Sequence, residues 1–172
     1  MNYVFTALVY LTIICLLFCF TSSTLYAIPM FIFGLLLWNC FEYLFHRFAF
    51  HNRSIPKKIR RYLTNGHLYH HRYPDKLDNL LLPINLTLPV SLGSLLLMYS
   101  AFGLGNLAWF YTGLIFGLFS YEFMHYAAHH LPINIFPFNA MRQYHLAHHF
   151  KSPKKKFMVS NPLLDYIFRS HR

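Results

Sequence analysis

The chain of 172 residues is 56% hydrophobic and 20% aromatic, only 12% of its residues are charged, and its net charge is +10. With a mean hydropathy of +0.34, this balance excludes an ordinary soluble globule and points to a membrane protein. The positive excess does not call for nucleic acid, because clusters such as Lys57-Lys58-Ile59-Arg60-Arg61 and Lys154-Lys155-Lys156 beside apolar runs are expected to sit on anionic lipid. Such a basic face would also suit an acidic redox partner.

A spanning helix needs roughly 20 apolar residues, and four segments qualify: residues 3–21, 25–45, 84–102 and 107–124. The first opens on Met1-Asn2-Tyr3, with no basic side chain and no small-residue cleavage pattern after it, so it is expected to stay as an anchor rather than to be removed. Ser22-Ser23-Thr24 joins it to the second. Pro89 and Gly93 interrupt the third, which meets the fourth near Gly103-Leu104-Gly105-Asn106, so the segments form two tight hairpins. Cys15, Cys19 and Cys40 fall inside these segments and behave as small apolar residues, arguing for neither disulfides nor thiolate sites.

All 15 Lys and Arg residues lie in two stretches, Arg47 to Lys76 and Arg142 to Arg172. The positive-inside rule puts both stretches, and both termini, in the cytoplasm. The expected architecture is a single all-α integral membrane domain over residues 1–172. Four transmembrane helices form two hairpins, and residues 46–83 and 125–172 form a cytoplasmic, histidine-rich helical cap.

Eleven of the 12 histidines fall in four clusters: His46 and His51; His67, His70 and His71; His125, His129 and His130; His145, His148 and His149. Residues at i, i+3 and i+4 share a helix face, so His67, His70 and His71 can point together, as can His145, His148 and His149, and His125 with His129. His46 and His51 would stand about 140° apart on an ideal helix, so the helix is expected to end or bend between them.

A single histidine on a helix is more often a satisfied structural residue than a ligand, and a solvated histidine-rich surface is the plain alternative. Four clusters outweigh it, because burying so many imidazoles without partners is costly and neutral imidazole is a good ligand for iron, zinc, copper and nickel. Ten nitrogens are too many for one ion and suit two ions with about five each. The chain has five acidic residues: Glu42 precedes His46 by four, Glu122 precedes His125 by three, Asp75 and Asp78 follow the second cluster, and Asp165 follows the fourth. Metal-bound histidines usually give their other ring N–H to a carboxylate or carbonyl, and Glu42 and Glu122 are the candidates, against the plainer reading of interfacial charges paired with Arg47 or another base.

Taken together, Glu42-Tyr-Leu-Phe-His-Arg-Phe-Ala-Phe-His51, His67-Leu-Tyr-His-His-Arg-Tyr-Pro-Asp75, His125-Tyr-Ala-Ala-His-His130 and His145-Leu-Ala-His-His-Phe150 resemble, in order, the motifs of the fatty acid hydroxylase superfamily, and most of all its fatty acid 2-hydroxylase branch. The resemblance runs from about Phe33 to Arg169. It implies a four-span enzyme with two iron ions, O2 as co-substrate, and an acyl substrate that reaches the site from the bilayer; zinc would also suit the ligands. By motif, one ion would take His46, His51, His67, His71 and His148, and the other His70, His125, His129, His145 and His149. His130, Glu42, Glu122 and Asp75 would support the ligands or contact substrate.

The resemblance also has departures. Eukaryotic relatives of this branch often carry a cytochrome b5-like domain, for which there is no room before Tyr3. Electrons are therefore expected from a separate cytochrome b5-like or ferredoxin-like protein, and the setting is expected to be a bacterial inner membrane. Asp78-Asn79 stands where the branch usually offers a basic residue, and Phe157-Met-Val-Ser-Asn-Pro-Leu-Leu-Asp165 lacks the usual Gly and Trp. Two rival readings follow: the same chemistry on a sterol, carotenoid or aldehyde, or a membrane metal transporter or sensor. Transport would favour ligands near the bilayer midplane, whereas these histidines gather at one edge.

Overall fold

A computed structural model describes residues 3–19, 25–52, 54–77, 79–82, 84–102 and 105–172. Among them all regular structure is helical: α1 (Tyr3–Cys19), α2 (Ala27–Leu44), a π-helical turn (Phe45–Phe50), α3 (Lys57–Tyr62), α4 (Thr64–Arg72), α5 (Ile84–Phe102), α6 (Gly105–His130), α7 (Phe138–Phe150) and α8 (Leu163–Ile167). The connections expected at residues 22–24 and near 103–104, and Asp78, lie outside the described residues. Pro56, Pro137 and Pro162 stand immediately before α3, α7 and α8, where a residue with a fixed φ and no N–H starts a helix without wasting a donor. Pro89 lies inside α5, which continues through it to Phe102.

The chain divides into two compact units, Met1–Trp38 with Leu82–Phe119 and Asn39–Leu81 with Ser120–Arg172. The divisions fall within α2 and α6, several residues before His46 and His125.

In the first unit α1, α2, α5 and α6 share one core. Leu107, Phe110 and Tyr111 of α6 are buried against Ile13, Met30, Leu37 and Leu95. Tyr10 of α1 is buried with Ile115 and Leu118, and its hydroxyl lies 3.2 Å from the Thr87 hydroxyl of α5. Helices α2 and α6 meet backbone to backbone at two glycines. A Cβ on Gly34 would stand 2.0 Å from the Phe110 carbonyl oxygen, and one on Gly113 would stand 2.0 Å from that of Phe31. Small residues that let helices touch in this way are a common device where lipid removes the hydrophobic drive for association.

One described stretch, Ala27–Phe50, is long and apolar enough to cross a membrane; Thr6–Leu16 and Thr87–Leu96 are shorter apolar stretches. In the second unit, the end of α2 packs through Tyr43 against Phe157, Met158 and Leu164.

Candidate metal centre

The second unit gathers ten of the histidines into two groups of five: His46, His51, His67, His71 and His148, and His70, His125, His129, His145 and His149. Within each group the five available nitrogens lie within 4.8 Å of one another. The residues divide as the resemblance implies, and either group could hold a metal ion.

Helix geometry explains the division. In each His-x-x-His-His motif the i and i+4 members go to one group and the i+3 member to the other: His67 with His71, and His70 apart; His145 with His149, and His148 apart. At 3.6 residues per turn, i+4 lies about 40° from i on one side and i+3 about 60° on the other. The motif faces therefore do not converge as triplets; each of α4 and α7 feeds both groups. His125 and His129, four apart on α6, stay together.

His46 and His51 are brought together where the helix ends between them, as expected, and the last turn is wider than an α turn. The α-helix gives way after Leu44 to the π-helical turn Phe45–Phe50, which ends there with His51 as its C-cap. A π-helix closes i→i+5, so residues five apart return to one face, and the two imidazoles stack with centroids 5.2 Å apart. The Thr64 hydroxyl at the start of α4 sits between the carbonyl oxygens of Ala49 (2.8 Å) and Asn52 (3.0 Å), donating to one at a time and tying the turn to the helix that supplies His67 and His71.

The geometry fits an ion in each group. Around the first, Nε2 atoms of His51, His148, His71 and His67 close a circuit with spacings of 3.2, 3.1, 3.0 and 3.1 Å, and His46 Nε2 stands 3.0 Å from that of His148. In the second, His70 and His125 Nε2 are 2.9 Å apart and His129 and His145 Nε2 3.0 Å apart. Two metal–nitrogen bonds of the usual ~2.0–2.1 Å set at a right angle put their nitrogens about 2.9 Å apart.

Protons cannot do the same work around such a circuit. His148 Nδ1 donates to the Lys155 carbonyl oxygen at 2.6 Å, so in the neutral ring Nε2 presents a lone pair. Lone pairs facing one another repel, and a shared cation turns that repulsion into attraction.

Burial keeps the rings in the neutral form that binds metal. His67 and His145 are held well below the ordinary imidazole range, first by desolvation and then by neighbouring histidines. Desolvation lowers His51 and His70 to about 3 and His71 to about 2, with other histidines adding to it. It also lowers His148 to about 4, against the Lys155 hydrogen bond and the charge of Asp165, and His129 to about 4, against the charge of Asp75.

The remaining candidates are distributed as follows. Asp75 is exposed and reaches His129 only through space. Glu122 is buried on α6. His130 lies outside both groups, its ring against Tyr126 and its Nε2 buried without a hydrogen-bond partner.

Glu42 turns to the backbone of the C-terminal segment. It accepts from the Val159 and Ser160 N–H groups at 2.6 and 2.9 Å and from the Ser160 hydroxyl. Asp165, fully buried, accepts from the Phe157 and Met158 N–H groups at 3.1 and 2.8 Å and from the Ser170 hydroxyl at 2.7 Å. Four consecutive N–H groups thus end on the oxygens of two acidic side chains. The segment so held presents the Lys155 carbonyl to His148 and lays the Phe157 ring against His46, His51 and His148 with centroids 5.7–5.8 Å apart.

Sequence reasoning missed Phe157, the Lys155 carbonyl and the splint that Glu42 and Asp165 form with the backbone of residues 157–160; the available signal was that Asp165 is the sole acid after Glu122. Glu42→Gln keeps one acceptor oxygen for the Val159 and Ser160 N–H groups but turns an amide donor toward the Ser160 hydroxyl, which loses that acceptor. Activity per bound metal is expected to fall about tenfold, the lower end of the effect of outer partners of metal ligands, as measured by product formation alongside metal content.

The model of the fatty acid hydroxylase family matches residues 31–170. A dihydroceramide fatty acyl 2-hydroxylase of Arabidopsis thaliana is 30% identical over 138 residues, covering 79% of this chain and 57% of that protein. The ceramide very long chain fatty acid hydroxylase of Saccharomyces cerevisiae is 30% identical, covering 87% of this chain and 39% of that one. The fatty acid 2-hydroxylase of Rattus norvegicus is 30% identical, covering 83% and 39%. The chain therefore spans only part of the length of these relatives. A solved structure of full-length scs7p, in which only the hydroxylase domain is visible, superposes with a TM-score of 0.75 at 26% identity, covering 94% of this chain and 62% of that one. With a family model matching most of its length and two histidine groups folded from the motifs within that match, the chain belongs to the fatty acid hydroxylase family.

Proposed function

We propose that the protein is an O2-dependent membrane hydroxylase that uses two iron ions to place a hydroxyl group on C2 of a fatty acyl chain, free or lipid-linked. The observation that carries this reading is the pair of five-nitrogen histidine groups, side by side where the His71 and His149 rings stack with centroids 4.0 Å apart. The activities of the Arabidopsis thaliana and Rattus norvegicus relatives support the acyl substrate and the 2-position.

One ion would be held by His46, His51, His67, His71 and His148, and the other by His70, His125, His129, His145 and His149. When bound, a pair of such ions supplies O2 activation and the redox chemistry needed for an unactivated C–H bond, though all-nitrogen ligands also accept zinc. The protein's own part is to keep the ten imidazoles neutral, to fix the His148 ring through the Lys155 carbonyl, and to hold Phe157 against the first group, where its apolar ring excludes water. His130 is assigned to substrate contact because its buried Nε2 has no partner. Glu122 is assigned to support of His125, one turn further along α6.

In this reading α1, α5 and residues 107–124 of α6 join α2 as spans, supported by their apolar length and by their common core. The histidine-bearing stretches face the cytoplasm, in keeping with the distribution of Lys and Arg. Electrons come from a cytochrome b5-like or ferredoxin-like donor. A carbon next to a carboxyl or amide head group lies at the interface, as does a histidine cap at the ends of the spans.

The test is mass spectrometry of hydrolysed total lipids from cells producing the protein together with an electron donor. A gain of 2-hydroxy fatty acids is expected. Hydroxylated sterols or carotenoids in their place would overturn the acyl assignment while leaving the metal centre.

A further inference from the structure

Helix α8 carries an apolar face whose position along α2 identifies its partner. Leu163, Tyr166, Ile167 and Phe168 are each more than half exposed. The acid within this segment, Asp165, is turned inward and buried on the backbone of Phe157 and Met158. Arg169 and Arg172 follow, both exposed. The outer surface of the segment is therefore bulky, apolar and edged only with positive charge.

Its depth is fixed by the end of α2. Phe168 stacks on Tyr43 with centroids 5.1 Å apart and planes 18° apart, and the Tyr43 hydroxyl lies 2.9 Å from that of Ser170. One turn beyond Tyr43 is Arg47, the first cation after the apolar run, with its guanidinium against Tyr43, Phe48 and Phe157. The exposed face of α8 is thus level with the stretch where the apolar segment Ala27–Phe50 gains its first basic side chain. At that depth a bilayer changes from acyl chains to head groups, where aromatic rings and short amphipathic helices with basic edges settle.

We propose that α8 is an interfacial foot: Leu163, Tyr166, Ile167 and Phe168 enter the lipid leaflet that α2 leaves, and Arg169 and Arg172 meet its phosphates. This rests on the membrane reading above. It also gives the foot a bearing on the metal centre, since Asp165 on the same helix holds the segment that braces His148.

The experiment attaches a nitroxide to Ile167→Cys in full-length protein whose Cys15, Cys19 and Cys40 are alanine, reconstituted in vesicles of phosphatidylcholine and phosphatidylglycerol. Collision with O2, which concentrates in lipid, is compared with collision with a water-soluble nickel chelate. Ile32→Cys on α2 is the lipid reference and Lys154→Cys the water reference. The expected result is that position 167 favours O2 over the chelate, as position 32 does, while position 154 shows the reverse. If position 32 reads lipid and position 167 reads water, the foot is overturned and the span stands. If position 32 also reads water, both readings fall together. Shielding of position 167 from both reagents would mean that protein, such as a second copy of the chain, covers the face, and would also overturn the foot.

Discussion

Replacing His148 with alanine will reduce hydroxylated product by more than about 100-fold, a larger loss than the 10- to 100-fold typical of outer partners, and will halve the metal content of the protein. His148 is fully buried, and its Nε2 lies 3.0–3.2 Å from those of His46, His51 and His71. Its removal opens the circuit of the first group and deprives the Lys155 carbonyl of its donor. The second group keeps all five of its nitrogens. The measurements are product by mass spectrometry and metal per chain by elemental analysis, at matched membrane levels. Full activity, or an unchanged metal count, would refute the assignment of His148 as a ligand.

Gly113→Val is expected to prevent accumulation of folded protein although it touches no histidine. The new Cβ would lie 2.0 Å from the Phe31 carbonyl oxygen and 3.1 Å from the Leu35 nitrogen. Overpacking costs about 1–3 kcal/mol where side chains can give way; here the obstacle is backbone on the facing helix, so the cost should exceed that range and consume much of a typical stability. Size-exclusion chromatography in detergent should show loss of the monodisperse peak. A substitution at Gly93, where an added Cβ meets nothing within 4 Å, should leave the peak intact. A normal peak for Gly113→Val would contradict the close crossing of α2 and α6.

Much of this arrangement was legible in the sequence because it depends on local periodicity. Apolar length alone predicted residues 84–102, the bounds found for α5, and the i, i+4 spacing of His125 and His129 predicted their shared face. What the sequence hid depends on contacts between distant segments or on main-chain atoms. The splint joins Glu42 to residues 117 and 118 positions away, and the Lys155 carbonyl has no side-chain signature. The sharing of each His-x-x-His-His motif between two groups requires knowing that ligand groups lie on both sides of α4 and α7. Pro89 misled as an interruption, since a helix can lose one hydrogen bond and continue. Apolar content also suggested four spans, the third interrupted by Pro89 and Gly93, whereas one described stretch meets both length and apolarity.

The π-helical turn also changes how lengths in this chain should be compared. His46 and His51 are five apart, one on the π turn and the other at its C-cap, and His125 and His129 are four apart on an α-helix, yet each pair presents its rings to one ion group. A π turn is an α turn with one residue added, so the two spacings are one geometric unit written at two lengths. Loss of a single residue between His46 and His51 would let the turn relax to α and keep the rings together. The same loss between His125 and His129 would swing them to different sides of α6. One motif can therefore absorb a deletion that the other cannot, and an alignment that penalises both gaps equally misjudges which chains can still assemble this centre.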